Sequence, residues 1–250
     1  MPRLYVVSTP IGNLEDVTLR ALRILGEVSL IAAEDTRTTR KLLTRHGIRN
    51  RLVSYHQYSG EGRIKDLLAV LQTRDVALVS EAGTPGISDP GFPLIRAAAQ
   101  QGIEVVPIPG ASAVIAALAI SGLPTDQFVY LGFLPRRAGE RRRVLATLQA
   151  ETRTAVVLEA PHRLHKTLQD LAELAGERPI TICRELTKLY EEVYRGNAMG
   201  ALAHFSIPRG EFTVVIGGCA LAAETYWGAA GTTIPATPNP EASLRRKRRS

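Results

Sequence analysis

The feature that most constrains this chain is a set of short apolar runs that repeatedly open into loops rich in Gly, Pro, Ser and Thr. LYVVS (4–8), VSLIAA (28–33), VALVS (76–80), EVVPI (104–108), FVYLGF (128–133), AVVLE (155–159), ITIC (180–183) and FTVVIGG (212–218) predict strands. Several are apolar at every position, as strands covered on both faces are. Between the runs, apolar residues recur at helical spacing, as in Ile64, Leu67, Leu68 and Leu71, and again in Leu164, Leu168, Leu171 and Ala175. Asp89-Pro90 predicts an N-cap followed by proline at the first helical position, and Gly47, Gly102 and Gly176 stand where helices should stop. Such alternation predicts an α/β fold with mainly parallel or mixed sheets, not an all-β fold or a helix bundle.

SGLPTD (121–126) interrupts the pattern with Gly, Pro and Asp, which predicts two α/β domains, 1–122 and 123–230. Beyond Trp227 the chain turns small, polar and Pro-rich before RRKRR, so residues 231–250 are expected to form a disordered basic tail. That run carries five of the seven net positive charges, and without it the chain stands at only +2. A second basic cluster comprises Arg136, Arg137, Arg141, Arg142 and Arg143. From charge alone, a solvated face or a tail without a role explains both clusters as well as a nucleic-acid partner does. Cys183 and Cys219 are too few for a disulfide framework and read as small buried hydrophobes. The N-terminus lacks the order of a signal peptide, and no apolar run approaches the roughly 18 residues that span a bilayer. The expectation is a cytoplasmic protein with no membrane segment.

Three loops carry the chemistry: STPIGN (8–13), SEAGTPGISDPG (80–91) and PGASA (109–113). Each follows a strand, and in open α/β sheets ligands sit beyond the carboxyl ends of strands. Any one loop could be a tight turn. The 80–91 loop, with Glu81, Thr84, Ser88 and Asp89 among its glycines, is better read as a ligand loop. A P-loop is absent, since Gly86 and Gly91 are followed by Phe92, and Gly60-Glu61-Gly62 lacks both a preceding strand and a third glycine. These gaps demote nucleoside triphosphates, dinucleotides and the ordinary Rossmann methyltransferases. No G-x-S-x-G nucleophile elbow occurs, and His162 and His165 lack a third ligand, so no metal is expected. AAEDTRTTRK (32–41), EAPHR (159–163) and CRELTKLYEE (183–192) place carboxylates beside Arg, Lys or His near strand ends. There they could hold an anionic substrate and assist proton transfer, although surface ion pairing is the plainer reading of any one of them.

STPIGNLEDVTLRAL, AAEDTRTTRKLL, SEAGTPGISDPG, PIPGASA, SGLPTDQFVYLGFLPRR, EAPHR and RELTK together resemble the 16S ribosomal RNA cytidine 2′-O-methyltransferase I family. That family is a branch of the tetrapyrrole-methylase-like, class III, S-adenosylmethionine enzymes. The resemblance runs from about residue 3 to 217 with the motifs in order. The Gly-rich loops are common to the superfamily, whereas AEDTR, EAPHR and RELTK point to the ribosomal RNA branch. Glu81 stands where the family usually has Asp, Ala111 where it has Pro, and Leu158 where an aromatic is common. The resemblance implies S-adenosyl-L-methionine bound in a cleft between two domains, with Pro10, Glu81, Gly83, Thr84, Ile87, Gly110, Ala111, Ser112, Leu158, Leu186 and Gly210 touching it. It implies methyl transfer to a cytidine ribose in the decoding region of small-subunit 16S rRNA, by a homodimer. A 2′-hydroxyl is a very weak acid, so Asp35, Glu185 and Lys188 are the catalytic candidates. Arg37, Arg136, Arg137, His162 and Arg163 are the candidates for holding the RNA.

Two rivals differ in kind. A small-molecule methylase, acting for instance on a tetrapyrrole precursor, would share the cofactor loops, but the arginine clusters argue against it. A non-catalytic RNA-binding module would not need three Gly-rich strand-end loops, and its aromatic stacking platforms are scarce at 5% Phe, Trp and Tyr.

Overall fold

The computed structural model describes residues 1–227 and 232–235, and these fall into two compact units that divide between Ser112 and Ala113. The first unit contains β1 (Arg3–Val7), α1 (Leu19–Glu27), β2 (Leu30–Ala33), α2 (Thr36–Arg45) and β3 (Leu52–Ser54). It continues with α3 (Glu61–Leu71), β4 (Val76–Val79), α4 (Phe92–Gln100) and β5 (Glu104–Ile108). Its five strands are all parallel, in the order β3-β2-β4-β1-β5.

The side-chain alternation of the strands feeds two cores. Tyr5, Val7, Ile31, Ala33, Ala77 and Val79 face α1 and α2, meeting Ala21, Ile24, Leu25, Leu42 and Leu43. Leu4, Leu30, Ala32, Val76 and Leu78 face the other way, against Leu67, Leu68 and Leu71 of α3 and Leu94 and Ala98 of α4. Burial on both faces is why these strands carry no polar alternation. Thr18 caps α1 by accepting a hydrogen bond from the Ala21 N–H. The expected cap at Asp89-Pro90 is displaced: α4 begins at Phe92, with Gly91 as its N-cap. Gly91 packs so tightly that an added Cβ would lie 2.8 Å from the Gly86 nitrogen, and Asp89 stays in the loop before it.

The second unit contains α5 (Ala113–Ser121), β6 (Phe128–Phe133), α6 (Ala138–Thr147), β7 (Thr154–Glu159) and α7 (Pro161–Ala175). There follow β8 (Ile180–Arg184), β9 (Glu192–Gly196), α8 (Ala198–His204), β10 (Phe212–Ile216), α9 (Ala223–Trp227) and β11 (Thr232–Pro235). The six strands run β11-β9-β8-β10-β7-β6, and only β6 and β7 pair in parallel. One face buries Val157, Ile182, Val214 and Ile216 against Leu145 of α6 and Leu164, Leu168 and Leu171 of α7. The division of the chain falls before α5 rather than within SGLPTD, because α5 belongs with the second sheet. Its Ser121 carbonyl accepts a hydrogen bond from the Thr181 hydroxyl of β8 at 2.9 Å. The segment expected to be disordered contains a strand, β11, paired antiparallel with β9, while 228–231 and 236–250 lie outside the described residues.

The internal arginine cluster is only partly a surface patch. Arg141 is buried and its Nε donates to Asp170 Oδ2 at 2.7 Å, while Arg142 Nη1 reaches Asp170 Oδ1 and Glu173 Oε2, each at 2.7 Å. Two of the five cations therefore clamp α6 to α7, and Arg136, Arg137 and Arg143 remain exposed. Removing Asp170 would strand a buried guanidinium. Asp170→Ala is expected to destabilise the protein by about 3–5 kcal/mol in chemical denaturation, whereas Arg143→Ala should cost under about 0.5 kcal/mol.

Candidate functional site

In the first unit, the three Gly-rich loops meet at the carboxyl ends of the adjacent strands β4, β1 and β5. The Thr9 N–H donates to the Gly83 carbonyl at 2.8 Å, and the Gly83 N–H returns a bond to the Thr9 carbonyl at 3.0 Å. Beside this pair, the Ser8 and Thr84 hydroxyls are 2.8 Å apart and hydrogen-bonded. Gly110 closes the third side, where an added Cβ would come within 2.9 Å of the Ser8 Cβ. Glycine is required there by space. Pro10 is buried next to the pair, and Gly83, at φ +73°, faces Ile11 and the Ala111 carbonyl. The Thr9 hydroxyl is buried with no hydrogen-bond partner, an orphaned polar atom at the centre of the junction. Glu81 and Ile87 are exposed on the long loop, and Ser112 is half-buried.

The next strand end, that of β2, brings further carboxylates. Asp35 caps α2 and accepts from the Arg37 N–H at 2.7 Å and from its Nη2 at 2.8 Å. These bonds hold the Asp35 carboxyl down at about 2. Such a group is a weak base, and Arg37 stays 87% exposed beside it. The neighbouring Glu34 accepts from the Glu81 N–H at 3.1 Å. Asp89 behaves oppositely to Asp35. Burial, with the Glu34 carboxylate adding to it, pushes Asp89 up to about 7 against the opposing Ser80 hydrogen bond.

In the second unit, register aligns a second set of strand ends. Phe212 at the start of β10 lies opposite both Glu159 and Arg184, the last residues of β7 and β8. Beyond Arg184 the backbone turns through two non-glycine residues in the left-handed region, Glu185 at φ 51° and Thr187 at φ 67°. The Lys188 ammonium bridges Glu185 Oε1 and Glu211 Oε2, each at 3.0 Å. Burial works against the Lys188 charge, but the two carboxylates outweigh it and raise its pKa. Burial likewise pushes Glu185 up, and the Glu211 N–H with the Lys188 ammonium brings it below the usual carboxylate range. Gly210, at φ +85°, lies under this pair, and an added Cβ would fall 2.4 Å from the Glu185 Cγ. Leu186 is buried within the same turn, and Leu158 is half-buried on β7.

The RNA candidates separate by environment. Arg37, Arg136, Arg137 and His162 are exposed. Arg163 is tied down: its Nη2 donates to the Leu134 and Pro135 carbonyls, and its Nε lies 3.2 Å from Glu159 Oε1. Its side chain, 14% exposed, fixes the turn after β6 onto α7 rather than standing free for a phosphate. The other histidine, His165, is bonded to the Phe205 carbonyl. No group of three or more potential metal ligands assembles among the described residues. Sequence reasoning missed Thr9, Glu34 and Glu211. Glu34 and Glu211 directly adjoin residues it singled out, but pairing across strands has no local signature.

The chain belongs to the tetrapyrrole (corrin/porphyrin) methylase family, whose profile matches residues 3–201. Its relatives narrow the branch. It is 52% identical over 219 residues to the ribosomal RNA small subunit methyltransferase I of Synechocystis, covering 86% of this chain and 78% of that one. With the enzyme of the same name from Thermotoga maritima it shares 48% over 221 residues, covering 87% and 99%. Among solved structures, uroporphyrin-III C-methyltransferase from Thermus thermophilus complexed with S-adenosylhomocysteine has the same fold, at TM-score 0.62 and 20% identity over 87% of this chain and 98% of that one. A diphthine synthase from Entamoeba histolytica does too, at TM-score 0.64 and 16% identity over 87% and 93%.

Two predictions follow from the site's electrostatics and packing. The folded protein holds the Asp89 proton more tightly than the unfolded chain, so stability should fall as pH rises from 3.8 towards about 7 and level off above that. Asp89→Asn should flatten this limb and, above neutrality, stabilise the protein by about 1–2 kcal/mol in denaturation curves taken across pH, once solvent screening is allowed for. Gly210→Ala combines a disfavoured φ with a collision at Glu185, and should cost about 1–3 kcal/mol by the same measurement.

Proposed function

We propose that this chain transfers a methyl group from S-adenosyl-L-methionine to the ribose 2′-hydroxyl of a cytidine in the 16S rRNA of the small ribosomal subunit. The observation that carries this reading is the junction of the β1, β4 and β5 loops, in a chain 52% identical to a ribosomal RNA small subunit methyltransferase. The junction fits the cofactor: Gly110 exposes its backbone at a point where no Cβ fits, and the buried Thr9 hydroxyl has no partner of its own. Pro10, Glu81, Gly83, Thr84, Ile87, Gly110, Ala111 and Ser112 would hold it. When bound, S-adenosyl-L-methionine supplies an electrophilic methyl group.

This chain's residues must align the hydroxyl and favour loss of its proton, which passes to water as the methylated ribose and S-adenosylhomocysteine form. Lys188, kept protonated by Glu185 and Glu211, offers a fixed positive charge that lowers the hydroxyl's pKa and stabilises the developing alkoxide. Glu185 orients that ammonium. Asp35 serves through Arg37, which it presents to the RNA backbone together with Arg136, Arg137 and His162. Arg163 is left out of the substrate set because its Nη2 and Nε are already engaged and its side chain is mostly enclosed. The enzyme works as a homodimer in the cytoplasm, in keeping with symmetric pairs being the commonest assemblies. No helix among the described residues is long and apolar enough to cross a membrane.

Radiolabelled transfer to unmodified small subunits, followed by nucleotide mapping, tests the reading. One methylated cytidine ribose is the expected product, and transfer to a tetrapyrrole precursor instead would overturn it. Lys188→Met should lower the single-turnover rate by about a hundredfold while S-adenosylhomocysteine still binds. An unchanged rate would remove Lys188 from the chemistry.

The RRKRR run, outside the described residues, reads as a phosphate anchor acting through counterion release. Deleting 241–250 leaves β11 in place, so cofactor affinity and product should be unchanged. Affinity for the small subunit should fall, with the slope of log affinity against log salt flattening by up to about 4. Equal slopes for the two proteins would rule the anchor out.

A further inference from the structure

At the end of the second sheet opposite the Lys188 turn, where β8 begins and β10 ends, lies a cavity of about 330 Å³. Leu174 and Ala175 at the end of α7, with Leu221 and Ala222 after β10, give it apolar walls, and Arg178 and Cys219 also line it. Arg178 is only 7% exposed. Its Nη2 donates to the Gln149 carbonyl at 3.0 Å, and it forms no ion pair with any carboxylate among the described side chains. Glu151, the carboxylate that acts on it electrostatically, has both oxygens bonded to Arg153 instead. Glu177, on the cavity's exposed side, accepts from the Asn197 amide. A guanidinium carries five N–H donors, and burying one without a counterion is costly. Arg178 borders the cavity, and the proposed methyl-transfer residues make no contact with it.

We propose that this cavity binds a small organic anion, a monocarboxylate carried on a short aliphatic body. The carboxylate would pair with the Arg178 guanidinium through its planar fork of donors. The aliphatic part would lie against Leu174, Ala175, Leu221 and Ala222. A phosphate dianion fits less well, because a single cation would face its two negative charges and Glu177 stands nearby. The cavity is of the size that holds a small ligand.

Titration of the full-length protein with butyrate, hexanoate and inorganic phosphate, read by calorimetry and by the Arg178 Nε–H resonance, tests this. Hexanoate should bind, and bind about threefold more tightly for each methylene added beyond butyrate. Arg178→Gln should weaken hexanoate at least about tenfold. Should that variant not fold, Leu221→Trp provides the second arm: it fills the cavity, leaves the guanidinium in place, and should abolish binding. No hexanoate binding by the wild type, unchanged binding in Leu221→Trp, or phosphate binding as tightly as hexanoate would each overturn the proposal. None of these readouts involves methyl transfer, so failure here leaves the catalytic reading standing, and failure there leaves this one.

Discussion

Everything proposed for the first unit depends on two backbone hydrogen bonds, those exchanged between Thr9 and Gly83. They join loops whose strands, β1 and β4, are neighbours in the sheet although more than 70 residues apart in the chain. Without them the loop after β4 would be free, as long glycine-rich loops usually are. With them, the Ser8–Thr84 hydroxyl pair and the close approach of Gly110 to Ser8 follow, and a stretch of bare backbone is held at fixed positions. Pre-ordering of this kind removes part of the entropy cost of binding.

The second unit reaches comparable rigidity by electrostatic means. Two residues held at positive φ would each favour relaxation of the turn after β8. The turn persists because Lys188 is held by two carboxylates, the Glu185 N–H donates to the Glu211 carbonyl, and the Glu211 N–H donates back to Glu185. Gly210 is the steric condition for this lattice, since any side chain there would occupy the space of Glu185.

Much of the fold was legible from residue order. The eight apolar runs each became a strand, because burial on both faces leaves a continuous apolar signature. β3, β9 and β11 were missed: LVS is three residues long, EVYRG and TTIP carry polar residues, and all three lie at or next to sheet edges. The Gly-rich loops stood out as ligand loops, yet their mutual bonding did not, because it depends on strand order. The charged motifs were harder to weigh. AEDTR, EAPHR and RELTK all contain arginine, but Arg37 is exposed, Arg163 is mostly enclosed and Arg184 is paired with Glu192. Sequence reports the charge; burial and partners decide whether it is available.

The strand order also governs how the chain can acquire its structure. β1 precedes both of its partners in the chain yet sits between β4 and β5, pairing Leu4 with Val76 and Arg3 with Glu104. Until β4 has emerged, more than 70 residues after β1, this almost wholly apolar strand has no partner on either side, and one side stays open until β5 follows. Contacts so distant in sequence are slow to form, and parallel pairing leaves unpaired edges exposed in the meantime. The nascent β1 segment should therefore be a client for holding chaperones, and translational pausing between β1 and β4 should endanger this protein more than pausing after β5.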